Sequence, residues 1–321
     1  MKILIASSIS EQKIEDLKKK HQVVCAFNAK ESVLKEVIKD CEALIFRSGV
    51  QITAEVMRCA PKLALLIRAG SGTDNVDLDY IERHGLKLMR VAEPGARAVA
   101  EMAFAFMLDL ARNIFIADQL WRQGHWAKSE LTGYLLRGKV LGIVGAGNIG
   151  SLVGELSVAW GMEPIGCVAH PHKPGVKEKL GRKGIRLTNF EEVIARSDFI
   201  TLHVPKDAST VHLMNADVLS RMKRGSYLIN LARGGVVDEK ALYDALTQGD
   251  RLRGAALDVH EQEGEGKISP FADLPNVILT PHIGAQTHDS QREIGERVEA
   301  IINDYLAEEG GRKKALQAEV V

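Results

Sequence analysis

The stretch VLGIVGAGNIG, residues 140–150, joins a short apolar run to a set of three closely spaced glycines. The apolar run predicts a β-strand. The following residues, NIGSLVGELSVAWG (148–161), predict an α-helix that ends at Gly161. Glycines at this spacing between a strand and a helix are typical of a loop that binds a dinucleotide.

Each glycine of this loop has a separate physical purpose. Gly145 permits the tight turn, Gly147 lets the backbone approach a pyrophosphate, and Gly150 lets the helix pack on the strand. Asn148 and Ile149 open the helix, whose N-terminus supplies free N–H groups and a positive dipole end for phosphates. The sequence therefore predicts dinucleotide binding.

Short β-rich runs alternate with amphipathic stretches on both sides of this loop. Before it, the predicted strands are residues 1–7, 21–27, 43–48, 63–70 and 86–92, and the predicted helices are 10–20, 30–40 and 75–85. From it onward, the predicted strands are 139–144, 163–169, 198–204, 226–231, 254–259 and 276–280, with helices over 148–161, 189–197 and 238–249.

This alternation predicts the fold class, α/β with two doubly wound parallel-sheet domains. A long apolar helix over residues 97–123 separates the two series, and a last helix covers residues 287–309. We expect both helices to cross between the domains.

The composition excludes several classes of partner. Lysine plus arginine and aspartate plus glutamate number 42 each, so no net field attracts nucleic acid or an anionic membrane. The start, MKILIASSIS, is too short an apolar run for a signal peptide, and residues 99–110 are interrupted by Glu101 and Asp109. We expect a cytoplasmic protein without a metal site, whose buried thiols are Cys25, Cys41, Cys59 and Cys167.

The second strand after the loop lacks an expected acidic residue. An Asp or Glu about 20 residues beyond the loop normally binds the ribose 2′-hydroxyl of NAD. Val168 stands there, while His170, His172 and Lys173 supply groups that attract a 2′-phosphate. We expect NAD or NADP as the cofactor, with a slight preference for NADP. The alternative is that these three are surface loop residues without a role in binding and that the cofactor is NAD.

Three further motifs each follow a strand, at the end where ligands bind in open α/β sheets. They are NLARGGVVDEKAL (230–242), GAALDVHEQEGEG (254–266) and LTPHIGAQT (279–287). Each contributes one residue suited to chemistry: Arg233, Glu263 and His282. An arginine fork matches a substrate carboxylate, and a histidine held by a glutamate can protonate an oxygen while a hydride arrives.

Through these motifs the chain resembles the D-isomer-specific 2-hydroxyacid dehydrogenases over essentially its whole length. RAGSGTDNVDLD (68–79) and RSG (47–49) look most like the D-3-phosphoglycerate dehydrogenase branch. The resemblance implies that Arg233 binds the substrate carboxylate and carbonyl, and that Glu263 supports His282 as the proton donor and acceptor. It also implies that Asp258 orients the nicotinamide carboxamide and that residues 203–205 border the adenine.

Further expectations follow from the resemblance. The cofactor-binding set is Gly145, Gly147, Asn148, Ile149, Gly150, Val168, His170, His203, Val204, Pro205, Leu231, Ala232, Asp258 and Gly284. A flavodoxin-like substrate domain is expected from residues 1–96 plus 288–321, and a Rossmann NAD(P)-binding domain from residues 97–287. The expected partners are a small 2-hydroxy or 2-keto acid and a second copy of the chain, bound through the nucleotide domain.

The substrate is expected to be acidic, D-3-phosphoglycerate or a related compound, because basic residues collect in the matching motifs. The substrate-binding set is Arg47, Arg68, Ala69, Gly70, Ser71, Gly72 and Lys128. The alternative is that Arg47 and Arg68 pair with Asp74 or Asp77.

Four positions depart from the family pattern: Val168 replaces Asp, Gly95 replaces Asn, His260 replaces Phe, and Gly264 replaces Pro. An NADPH-dependent glyoxylate or hydroxypyruvate reductase is therefore an alternative with the same Arg, Glu and His. A dinucleotide-sensing protein similar to transcriptional corepressors is a more remote one, as is an oxidoreductase acting on formate or phosphite.

Overall fold

The computed structural model describes the backbone of residues 1–70, 72–249 and 251–318, and the side chains of these residues except 309 and 311–318. The chain divides into two compact units. One comprises Met1–Gly95 with Gln286–Val321, and the other comprises Ala96–Ala285.

The first unit is built on a parallel sheet of five strands in the order β2-β1-β3-β4-β5. Its strands are β1 (Lys2–Ile5), β2 (Gln22–Cys25), β3 (Ala43–Phe46), β4 (Leu65–Arg68) and β5 (Lys87–Arg90). Its connecting helices are α1 (Glu11–Lys20), α2 (Glu31–Val37), α3 (Ala54–Arg58) and α4 (Leu78–Arg83). This strand order is that of flavodoxin-like sheets, as predicted.

The second unit holds a parallel sheet of seven strands, and the helix preceding them begins in the first unit. The helices and strands are α5 (Glu93–Arg112), α6 (Ile114–Arg122), β6 (Val140–Val144), α7 (Asn148–Ala159), β7 (Glu163–Cys167), α8 (Val176–Arg182), β8 (Arg186–Leu187), α9 (Phe190–Arg196), β9 (Phe199–Leu202), α10 (Ala216–Arg221), β10 (Ser226–Asn230), α11 (Glu239–Thr247), β11 (Leu252–Leu257) and β12 (Val277–Leu279). The order is β12-β11-β10-β9-β6-β7-β8, a Rossmann arrangement in which the strand order reverses between β6 and β9. The predicted fold class is confirmed.

The helical segments differ from the prediction in one important place. Instead of one helix over residues 97–123, α5 ends at Arg112 and α6 begins at Ile114. Asn113 between them has a φ of 54°, in the left-handed region, which interrupts the helical path. A carboxylate oxygen of Asp109 accepts the N–H of Phe115 at 2.8 Å and stabilises the break. The last helix, α12 (His288–Ala318), is longer than predicted and lies within the first unit, so the prediction that it crosses between the domains is wrong.

Buried apolar side chains cover both faces of each sheet. In the first unit one cluster contains Leu44 and Leu66, and another contains Ile45 and Ile67, from alternate positions of β3 and β4. Full burial of each such side chain contributes about 1.5–3 kcal/mol to folding. The alternation explains why these short strands are apolar throughout: parallel strands covered on both faces have no solvent side.

The short strand β8, which the sequence did not predict, completes the edge of the second sheet. Cys41 and Cys167 are buried, but Cys25 is exposed and Cys59 partly exposed, so the prediction of four buried thiols is wrong for these two. Among the described residues, no helix has both the length and the apolar character that crossing a membrane requires.

Candidate active site

The glycine loop lies where the strand order of the second sheet reverses. Gly145 has a φ of 92°, and a Cβ placed there would lie 2.6 Å from the carbonyl oxygen of His203, directly after β9. A Cβ on Gly150 would lie 2.4 Å from the carbonyl oxygen of Gly145. These two positions therefore exclude any side chain, because Gly145 packs against the backbone after β9 and Gly150 packs against the backbone of Gly145.

The loop fits the pyrophosphate of a dinucleotide at Gly147, where α7 begins. A Cβ placed on Gly147 would meet no described atom within 4 Å, so the space over the helix N-terminus is open. The N-terminal N–H groups of α7 can donate to phosphate oxygens there, next to Asn148 and Ile149.

Most of the other predicted cofactor residues follow the strands of the same sheet at its carboxyl edge. Val204 and Pro205 follow β9, while Leu231 and Ala232 follow β10 and are buried. Ala232 donates its N–H to the side-chain oxygen of Asn230 at 3.0 Å. Gly284 is tightly packed, because a Cβ there would lie 2.9 Å from a carboxylate oxygen of Asp258.

His203 is a neutral histidine. Its Nε2 lies 2.9 Å from the hydroxyl oxygen of Thr201, and its Nδ1 is buried. Burial of the ring lowers the pKa of His203 to about 3, since the charged form would lose its hydration. His203 therefore carries no charge at neutral pH.

The end of β7 carries no acidic side chain at the position where a carboxylate that binds the ribose is expected. Val168 is half-buried there against the apolar cluster of the second unit. His170, His172 and Lys173 are exposed in the turn that follows, where the N–H of Lys173 donates to the carbonyl of His170 at 3.2 Å.

His282 and Glu263 form a direct pair. Nδ1 of His282 lies 2.9 Å from Oε2 of Glu263, and the two side chains are 31% and 39% exposed. His282 has a φ of 56°, and its N–H points to the carbonyl oxygens of Asp258 at 2.8 Å and Thr280 at 3.1 Å. The residues directly after β11 and β12 thus fix the backbone of His282, while the side chains of the pair remain accessible to solvent.

The carboxylate of Glu263 stays ionised at neutral pH. Burial raises its pKa, but the hydrogen bond and charge of His282, with the N–H of His260 donating to Oε1 at 3.1 Å, more than offset this and lower it. An ionised Glu263 favours the tautomer of His282 that carries its hydrogen on Nδ1.

Asp258 is 2% exposed, and both of its carboxylate oxygens accept hydrogen bonds from the segment that carries His282. Oδ1 accepts from the Thr280 hydroxyl at 2.6 Å and from the Ile283 N–H at 2.8 Å; Oδ2 accepts from the Gly284 N–H at 2.8 Å. The structure therefore makes Asp258 the anchor of this turn; its role toward a carboxamide stays a prediction.

Arg233 follows β10, the neighbour of β11 in the sheet. Its Nη1 donates to the carbonyl of Ala232 at 2.7 Å. The buried side chain of Asn230 donates to the Arg233 carbonyl at 3.2 Å and so shapes the turn that presents the guanidinium.

Two of the predicted substrate arginines belong to the first unit. Arg68 ends β4 opposite Phe46 in the register of β3, and Arg47 comes directly after Phe46. Nη1 of Arg47 donates to the side-chain oxygen of Gln286 at 3.0 Å, and burial lowers the pKa of Arg47. Arg68 is only 3% exposed, and its Nη1 donates to the carbonyl of Ala69 at 3.1 Å.

The remaining predicted substrate residues have different surroundings. Gly70 has a φ of 154°, and a Cβ there would lie 2.5 Å from Nη1 of Arg68. Gly72 is partly exposed, and Ser71 lies outside the described residues. Lys128 is an exposed residue of the second unit. Asp77 caps α4 through the N–H of Tyr80.

Sequence reasoning missed a pair of glutamates beside the site. Oε1 of Glu239 accepts the N–H of Glu261 at 2.8 Å, and Oε1 of Glu261 accepts the N–H of Glu239 at 3.2 Å. Burial raises the pKa of Glu239, against the hydrogen bond from Glu261. His212 lies 3.2 Å from the same Glu261 oxygen. No local pattern reveals this pairing, because its partners are 22 residues apart.

The second unit has the architecture of a dinucleotide-binding Rossmann domain, with an open glycine loop and with Arg233, Glu263 and His282 after three adjacent strands. The family model described as "D-isomer specific 2-hydroxyacid dehydrogenase, NAD binding domain" matches residues 104–284. The chain belongs to the family of D-isomer-specific 2-hydroxyacid dehydrogenases, which confirms the resemblance.

Individual relatives agree with this assignment. A D-3-phosphoglycerate dehydrogenase of Methanocaldococcus jannaschii is 38% identical over 96% of this chain and 59% of its own length. A hydroxypyruvate reductase of Thermotoga maritima is 36% identical over 84% of this chain and 87% of its own. The structure of a D-lactate dehydrogenase from Aquifex aeolicus, complexed with NAD and lactic acid, matches with a TM-score of 0.84, at 28% identity over 96% of each chain. The chain thus spans about three-fifths of the archaeal phosphoglycerate dehydrogenase.

Proposed function

We propose that the protein interconverts a D-2-hydroxy acid and the corresponding 2-keto acid, with Arg233, Glu263 and His282 as its catalytic residues. The observation that carries this proposal is the 2.9 Å contact between His282 Nδ1 and Glu263 Oε2. These two residues follow β12 and β11, and β11 is the neighbour of β10, which precedes Arg233. A nicotinamide dinucleotide, when bound, supplies or accepts the hydride.

The protein's own residues transfer the proton of the substrate and bind its carboxylate. Because Nδ1 of His282 is engaged by Glu263, Nε2 is the nitrogen that takes the proton of the substrate hydroxyl, or returns it to the carbonyl oxygen. The ionised Glu263 stabilises the imidazolium that oxidation produces. The Arg233 guanidinium binds the substrate carboxylate with two parallel hydrogen bonds.

Replacing His282 tests this assignment directly. We expect His282→Asn to lower kcat by about 10²–10⁴-fold, the usual contribution of a general acid or base, with the Kd of the dinucleotide unchanged. Turnover within about threefold of the wild type would refute the role of His282. Binding of the dinucleotide without turnover of any keto acid by the wild type would favour a dinucleotide-sensing protein.

The substrate we propose is D-3-phosphoglycerate or a related acidic compound. Arg47 and Arg68 support this, because both stand at the carboxyl edge of the first sheet, on adjacent strands. We expect Arg47→Ala to raise the KM for phosphohydroxypyruvate at least tenfold, while Arg58→Ala, an exposed arginine of the same unit, leaves it unchanged. An unchanged KM in Arg47→Ala would eliminate this substrate.

An NADPH-dependent hydroxypyruvate or glyoxylate reductase is the second candidate, and the end of β7 favours it. With Val168 in place of a carboxylate and Lys173 exposed nearby, a 2′-phosphate meets no repulsion there. Initial rates with phosphohydroxypyruvate, hydroxypyruvate and glyoxylate, each with NADH and NADPH, distinguish the candidates. Val168→Asp is expected to shift the cofactor preference at least tenfold toward NADH; Lys177→Asp, on α8, serves as the control.

We also propose that the protein is a homodimer through its second unit. Several large apolar side chains are exposed on and after α6, namely Ile114, Phe115, Trp121, Trp126 and Leu135. Burying these side chains in a second copy removes them from water. Sedimentation should give a dimer for the wild type and a monomer for Phe115→Asp, with Phe27→Asp in the first unit as the control.

A cytoplasmic location is proposed as well. It is supported by the four cysteines, all free thiols, which a reducing compartment maintains. Localisation of a tagged protein by microscopy would test it.

A further inference from the structure

His260 is the residue where the three proposed catalytic segments meet. Its N–H donates to Oε1 of Glu263 at 3.1 Å. Its carbonyl oxygen lies 1.7 Å from the position that a Cβ on Gly234, next to Arg233, would occupy. Its ring nitrogen Nε2 lies 2.9 Å from the carbonyl oxygen of Thr280, two residues before His282.

The contact with Thr280 defines the state of the His260 ring. A carbonyl oxygen can only accept, so Nε2 of His260 carries the hydrogen and donates it. Nδ1 of the same ring is buried and has no hydrogen-bond partner among the described residues. The ring therefore makes a single directional polar contact, and that contact is with the turn leading to His282.

The carbonyl of Thr280 links the ring of His260 to the backbone of His282. The same carbonyl oxygen lies 3.1 Å from the N–H of His282, whose backbone is held in the left-handed region with a φ of 56°. His260 thus holds the Glu263 side chain through its backbone and the His282 turn through its ring. Both contacts therefore bear on the pair formed by Glu263 and His282.

We propose that His260 is a positioning residue that keeps Glu263 and His282 in register through the bond from its ring to Thr280. This proposal rests on the proposed function of Glu263 and His282. The imidazole acts here as a hydrogen-bond donor of fixed length and direction. The contact of its backbone N–H with Glu263 does not depend on the side chain, so substitutions of His260 test the ring contact with Thr280.

Two substitutions distinguish the hydrogen-bond donor of His260 from the volume of its ring. His260→Phe keeps an aromatic ring and removes the donor, whereas His260→Gln retains an amide donor at about the position of Nε2. We expect His260→Phe to lower kcat about tenfold with the KM of the keto acid unchanged, because the loss concerns geometry and not binding. His260→Gln should restore kcat to within about threefold of the wild type. His288→Phe, an exposed histidine of the first unit, is the control.

A measurement on the unliganded protein makes the test independent of activity. In the wild type the proton on Nδ1 of His282, bonded to Glu263, should give a downfield nuclear magnetic resonance signal; it should be lost in His260→Phe and retained in His260→Gln. Wild-type kcat and an unchanged signal in His260→Phe would overturn the proposal, as would equal losses in both variants. His282→Asn, assayed in parallel, tests the proposed function separately: if it stays active the catalytic assignment fails, while the resonance still decides the role of His260.

Discussion

Replacing Asp258 by asparagine should destabilise the second unit, and the size of the effect follows from its hydrogen bonds. The buried carboxylate accepts from Thr280, Ile283 and Gly284. An amide keeps one accepting oxygen, so at least one backbone N–H loses its acceptor and faces an NH₂ group. A bond to a charged group contributes about 1.5–3 kcal/mol, and the left-handed backbone of His282 loses its support as well. We therefore expect the free energy of unfolding to fall by about 2–4 kcal/mol.

Tryptophan fluorescence during urea denaturation measures this change selectively. Trp121, Trp126 and Trp160 are the three tryptophans of the chain, and all lie within the second unit. Asp273→Asn, at an exposed aspartate of the same unit, provides the matched control and should change stability by less than about 0.5 kcal/mol. If Asp258→Asn changes stability as little as this control, the carboxylate does not anchor the turn and the argument is wrong.

Three further predictions concern the loop, the helix break and pH. Gly147→Ala should weaken dinucleotide binding at least tenfold with little loss of stability. Gly150→Ala should unfold at a lower urea concentration, because only its Cβ meets backbone atoms; equal urea midpoints for the two variants would contradict this. Asn113→Ala should cost about 1 kcal/mol in thermal denaturation, since alanine resists the left-handed φ of 54°; a gain in stability would be inconsistent. Hydrogen bonds from Arg186 first, and from neighbouring groups, lower the pKa of Glu192 to about 2 from 4.5. The stability advantage over Glu192→Gln should thus be complete above pH 4.5 and disappear as the pH falls toward 2; an advantage independent of pH would exclude this cause.

Local rules were enough to predict the fold class and the placement of Arg233, Glu263 and His282 after neighbouring strands. Alternation of apolar and amphipathic runs follows from sheets covered on both faces, and this pattern is legible along the chain. The requirement for glycine at 145 and 150 is steric, so it too appears at fixed spacing. Arg233, Glu263 and His282 each follow a strand, and parallel strands bring their carboxyl ends to one edge. Their general placement was therefore predictable from the order of the elements.

The break at Asn113 and the short strand β8 were not predictable in this way. Residues 97–123 have a helical pattern throughout, and the left-handed conformation of Asn113 interrupts the helix. Strand β8 is two residues long and exists because β7 offers it an edge to pair with. Two residues carry too little periodicity to indicate a strand.

The partners that position the site depended entirely on the folded chain. Asp258 meets Ile283 and Gly284 across 25 and 26 residues, and His260 meets Thr280 across 20. In the sequence, Asp258 and His260 are polar residues at the end of a predicted strand, and nothing local indicates which groups they contact. A hydrogen bond requires a separation of about 3 Å and a defined direction. Such a geometry between distant residues exists only once adjacent strands have aligned, which is why the amino-acid sequence indicates the chemical groups and the tertiary structure decides their partners.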